Sequence, residues 1–188
     1  MRLALCSPTE ACTSWCMNHS DRALSVREMV LFGILGAMTF AAKYVMSFLP
    51  NIEPVSLMVM LFAVVFGKKW VYPVYLYIAL EILFYGISLW NINYLYIWAV
   101  LAVAARCMKG MTSSLNWAIL AGVYGLAFGA LCGIVDVFIG GFGYAVTKWV
   151  SGIPFDIAHC AGNFFIVLIL FQPLRKLLEQ QYGKMEKF

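Results

Sequence analysis

The chain has 188 residues, a formal net charge of +4, 63% hydrophobic and 12% charged residues, and a mean hydropathy of +0.85. Soluble domains are roughly 45–50% apolar and about 25% charged, so a water-soluble globule could not cover this much apolar surface. The Lys and Arg residues fall in small loop clusters, with no basic run or interleaved aromatic stripe, which excludes nucleic acid as a partner.

At roughly 20 residues per crossing, the length allows about six spanning helices and no separate soluble domain. The apolar runs do not alternate, so helices rather than a closed barrel are expected, and the fold class is an all-α membrane protein. Residues 1–24 read as a polar N-terminal tail without the apolar stretch of a secretory signal, and Met17 is an alternative start. Cys6, Cys12, Cys16 and His19 lie in that tail. They match no CxxC spacing, and no metal site is expected there. Cys107, Cys132 and Cys160 stand alone inside apolar segments and read as small buried hydrophobes.

Apolar runs bounded by charge, Pro, Gly and Asn place the helices. Helix 1 is expected near Val26 to Phe48 with Ser25 as its N-cap, and helix 2 near Pro54 to Phe66, short for a full crossing. Helix 3 follows near Trp70 to Leu89, helix 4 near Tyr94 to Met108, helix 5 near Leu115 to Ile139 and helix 6 near Ile153 to Leu174. The membrane domain is thus expected over residues 25–178, with a cytoplasmic tail at 179–188. Threading six spans with the N-terminus inside puts Arg2, Arg22, Arg27, Lys68, Lys69, Arg106, Lys109, Arg175, Lys176, Lys184 and Lys187 inside. Only Lys43 and Lys148 fall outside, so eleven of thirteen basic residues obey the positive-inside rule in an N-in, C-in arrangement.

A carboxylate within a span costs several kcal/mol on insertion scales, so each one demands a reason. Glu53, Asp136 and Asp156 fall toward the outer side, and Glu81 in the outward half of helix 3. Asn51, Trp90, Asn91, Asn93, Tyr94, Lys148, Trp149, His159 and Asn163 accompany them. This asymmetry is that of an outward cavity lined by aromatics with a few oriented polar groups. Plainer readings exist for most of the set. The Trp and Tyr residues suit an interfacial belt, Asp156 suits a helix N-terminus, Asp136 suits solvent just past the hydrocarbon, and His159 with Asn163 suits a bond across helices. Glu81, between Leu80 and Ile82, requires a buried partner or a function. Trp90, Tyr94 and Trp98, spaced by four, form the preferred aromatic stripe, with Asn91 and Asn93 as rim contacts in the outer loop.

Small residues mark two helix faces, Gly33, Gly36, Ala37, Ala41 and Ala42 in helix 1 and Gly122, Gly125, Gly129 and Gly133 in helix 5, and such faces permit close helix approach. No nucleophile elbow, zinc-protease motif or phosphate-binding loop is found, so neither catalysis nor a cofactor is expected. The alternative from another class is an intramembrane enzyme acting on a lipid or isoprenoid, using His159 with Asp156 or Glu81 as acid and base.

Four segments carry a family resemblance. They are Ala37-Met38-Thr39-Phe40-Ala41, Leu49-Pro50-Asn51-Ile52-Glu53-Pro54-Val55, the run from Trp90 to Trp98, and the run from Gly152 to Asn163. On a six-helix chain of this length they resemble the substrate-binding S components of energy-coupling factor transporters, the vitamin-uptake systems of bacteria and some archaea. The resemblance covers Ser25 to Leu178. It implies a vitamin-like cargo, a multi-pass position in the bacterial plasma membrane, and docking on a transmembrane coupling subunit driven by two ATPase subunits. It also implies that Gly33, Ala37 and Ala41 face that partner, that Asn51 and Glu53 belong to a lid, and that Glu81, Trp90, Asn91, Asn93, Tyr94, Trp98, Asp136, Asp156, His159 and Asn163 line the pocket.

Overall fold

The computed structural model describes residues 24–48, 52 and 54–185. Among them every regular element is a helix: α1 (Val26–Val45), α2 (Val55–Val65), a 3₁₀ turn (Gly67–Trp70), α3 (Val71–Tyr85), α4 (Leu89–Cys107) and a helical segment Ser114–Met185. Gly141, at φ 80° and ψ 175°, is non-helical and divides that segment into α5 (residues 114–140) and α6 (residues 142–185). Gly86 ends α3 at the same dihedrals, a region that side chains other than glycine enter only with strain. By length and composition, α1 and the 114–185 segment can each cross a membrane. The tail cysteines, His19, Asn51 and Glu53 lie outside the described residues.

Local signals account for most helix starts. Ser25 caps α1 as expected, its hydroxyl accepting from the Glu28 N–H while the Glu28 carboxylate accepts from the Ser25 N–H, which satisfies two otherwise orphaned donors. At the start of α4 the Asn91 side-chain oxygen accepts from both the N–H and the hydroxyl of Ser88. That helix therefore begins at Leu89, five residues before the expected Tyr94, and Asn91 and Asn93 belong to its first turns rather than to a loop.

The larger departure is α6. It begins directly after Gly141 rather than near Ile153, passes through Pro154 and Pro173, and ends at Met185, beyond both the expected Leu174 and the start of the expected C-terminal tail. The stretch 143–152 reads as a loop because it holds Gly143, Thr147, Lys148, Ser151 and Gly152. Within the helix, however, Thr147 donates to the Gly143 carbonyl and Ser151 to that of Lys148, so these hydroxyls need no outside partner. Past residue 178, Tyr182 sets its ring edge-on against Phe66, 5.0 Å between centroids, and its hydroxyl donates to Glu28. The last turns of α6 are thus part of the packed body.

The centre is α2. With eleven residues it is about 16 Å long, too short to cross roughly 30 Å of hydrocarbon. It is apolar on all sides, with Val55, Leu57, Val59, Met60, Leu61, Phe62 and Ala63 all buried, as a helix enclosed by others should be. It packs against α4 and the 114–185 segment, while α1 lies along α3. At Gly36 a β-carbon would stand 2.9 Å from the Pro73 carbonyl, and at Gly125 one would stand 2.7 Å from the Cys160 amide. Small residues are therefore what let α1 approach α3 and α5 approach α6. The helix 1 small-residue face divides accordingly: Gly36 is buried, Gly33 is half-buried, and Ala37 and Ala41 stay exposed.

Candidate functional site

One end of the bundle holds a cavity of about 770 Å³ whose wall draws on α1, α3, α4, α5 and α6. Eight of the twelve residues expected to contact a ligand line it: Glu81, Trp90, Asn91, Asn93, Tyr94, Asp136, Asp156 and His159. Trp98 and Asn163 do not. Trp98 is fully buried behind the wall, its ring among Tyr77, Tyr94, Tyr124 and Phe128 at 5.6–6.4 Å. Asn163 lies deeper in the core, its amide 3.5 Å from the Ala121 carbonyl. The expected aromatic stripe therefore grades inward. Trp90 is 55% exposed, Tyr94 lies on the cavity wall, and Trp98 supports Tyr94 from behind.

The carboxylates are held in three different ways. Glu81 is buried and pairs through Oε2 with Lys43 Nζ at 3.1 Å. The same ammonium donates to the hydroxyls of Tyr77 at 3.2 Å and Tyr94 at 3.0 Å and stands 4.6 Å from the centre of the Tyr94 ring, within cation–π range. This supplies the buried partner that Glu81 demands, and it ties α1, α3 and α4 together at the cavity. Asp136 pairs with Lys148 at 2.8 Å. It is buried rather than solvated, because α6 starts early enough to bring Lys148 back over it.

Asp156 has no ion pair among the described residues. It does not cap a helix N-terminus, since α6 begins fourteen residues earlier. Its Oδ1 instead accepts the backbone N–H of Gly129 at 3.0 Å, while Oδ2 is buried with no hydrogen-bond partner. Glycine at position 129 makes room for that carboxylate, since a β-carbon there would collide with Oδ2. His159, one turn along α6, is 2% exposed, with neither ring nitrogen hydrogen-bonded. Phe128 meets its imidazole edge-on, 4.7 Å between ring centres. The acid and base of the enzyme reading are thus not hydrogen-bonded to each other.

Several lining residues escaped the sequence reading as ligand contacts: Lys43, Ser88, Phe128, Gly129, Cys132 and Phe155. For Lys43 a signal existed. It and Lys148 are the two exceptions to the expected positive-inside distribution, and both are cavity residues engaged with carboxylates. Phe128 and Phe155 are indistinguishable in sequence from membrane-facing aromatics. Compared with models of protein families, with curated proteins and with solved structures, the chain gives no match.

Proposed function

We propose that this chain is the membrane-embedded substrate-binding subunit of a vitamin or micronutrient uptake system, in the manner of the S components it resembles. In this reading the six-helix body sits in the bacterial plasma membrane with both termini inside, the short α2 enclosed by the other helices. The cavity faces outward, and the exposed Ala37 and Ala41 side of α1 docks on a transmembrane coupling subunit powered by two ATPases. The chain binds and delivers, and the chemistry of energy conversion belongs to its partners.

The observation that carries the reading is the convergence of eight residues, drawn from α3, α4, α5 and α6, on one cavity of a size that accepts a drug-sized ligand. The cavity lies at the end of α1 marked by Lys43. Glu28 marks the other end, about 22 Å away at 1.5 Å per residue, near Lys69 and the last turns of α6. That second end holds the basic residues that would face the cytoplasm. Among the described residues, no hydrogen bond joins His159 to Asp156, so the pairing by which a neighbour orients a catalytic base does not compete with the binding reading.

The test is direct. The chain is purified in lipid nanodiscs, extracted, and searched for small molecules by mass spectrometry, then titrated with riboflavin, thiamine, biotin, pantothenate and cobalamin. A stoichiometric co-purifying compound, or micromolar or tighter binding without ATP, is expected. No compound and no binding, together with turnover of added isoprenoid lipid, would replace this reading with the enzyme alternative.

A further inference from the structure

Among the described residues, the cavity carries one charge that no ion pair balances. Lys43 and Lys148 are matched by Glu81 and Asp136, which leaves Asp156 and a net charge of minus one with His159 neutral. Asp156 is 5% exposed. A carboxylate so placed, with one oxygen lacking a donor, is costly unless something brings it hydrogen and positive charge. Nothing in the fold compels the cost, because asparagine could accept the Gly129 N–H equally well. The cavity around Asp156 also offers the unpartnered imidazole of His159, the ring of Phe128 and that of Phe155. No set of three His, Cys, Asp or Glu residues that could hold a metal ion occurs among the described residues, so a bare metal cation lacks its donors.

We propose that the cargo is a flat aromatic cation, of the aryl amidinium or aminopyridinium type. Its N–H groups donate to Asp156 Oδ2, its ring lies among Phe128 and Phe155, and a nitrogen of His159 completes its hydrogen bonding. The charge-assisted bond to a carboxylate that has already shed its water supplies both affinity and selection against neutral and anionic analogues. The inference rests on the binding-subunit reading and names its substrate class.

The experiment uses benzamidinium as probe, with benzamide and benzoate as neutral and anionic counterparts of nearly the same shape, titrated into the full chain in nanodiscs by calorimetry. Benzamidinium should bind at least about tenfold more tightly than benzamide, and benzoate not measurably. Asp156→Asn should weaken benzamidinium by about tenfold or more and leave benzamide within about threefold. The ligand series on the unaltered chain keeps the test decisive even where that variant misfolds. Equal or tighter binding of benzamide or benzoate overturns the inference, as does a folded Asp156→Asn that binds benzamidinium undiminished. A neutral or anionic compound co-purifying with the chain would overturn this substrate class while leaving the uptake reading standing. Absence of any bound compound and of any probe binding would remove both.

Discussion

The two ends of the helical body treat buried charge in opposite ways. At the end formed by the start of α1 and the last turns of α6, Glu28 accepts from Lys69, the Tyr182 hydroxyl and the Ser25 N–H. That carboxylate is occupied on every side and joins three distant parts of the chain. At the cavity end, Glu81 Oε1, Asp156 Oδ2 and both nitrogens of His159 are buried without a partner. Polar atoms at the first end close the structure, and those at the second have no partner among the described residues. Unsatisfied buried groups lower stability, and proteins retain them chiefly where a ligand or reaction uses them.

Substitutions at the two ends should separate these roles. The largest effect is expected for Glu28→Ala, which strands Lys69 and unties α6 from α1. The loss should be on the order of 3 kcal/mol, measured by denaturant unfolding in detergent, with cargo affinity unchanged. An Ala variant as stable as the parent would show that this end is not a clasp. Asp156→Asn should act in the reverse sense, raising the stability of the empty protein by about 1 kcal/mol as an uncompensated charge is removed. A loss of stability there would mean that the carboxylate serves the fold after all.

Tyr182→Phe keeps the ring against Phe66 and deletes only the bond to Glu28. It should cost about 1 kcal/mol, and a cost near zero would reassign the end of α6 to mere coverage. The smallest change is expected for Glu179→Ala, which removes an exposed pair with Arg175 one turn away on α6. About 0.3–0.5 kcal/mol is the scale for such pairs, and a larger value would extend the clasp to the outer face of that helix.

The readable parts of this molecule were those written in local chemistry. Ser25 announced the start of α1 because a cap needs only its own first turn, and the all-helical class followed from long apolar runs that must satisfy their backbone internally. The missed boundaries share one cause. Trp90, Asn91 and Asn93, and again Thr147, Lys148 and Ser151, look like loop because polar residues are normally left to water. In the folded chain a capping bond, backbonded hydroxyls and the Lys148–Asp136 pair let the helix absorb them.

By itself the sequence determined the helical class and the short list of polar groups that needed a reason to be in apolar segments. Composition and charge order act over a few residues and survive without knowledge of neighbours. Only the tertiary structure decided which of those groups were answered by the protein. Lys43 reaches Glu81 across 38 positions, and the Gly129 amide reaches Asp156 across 27. Trp98 was withdrawn behind the wall while Phe128 was placed upon it. Pairing and burial depend on which helix faces meet, and no local pattern of residues carries that choice.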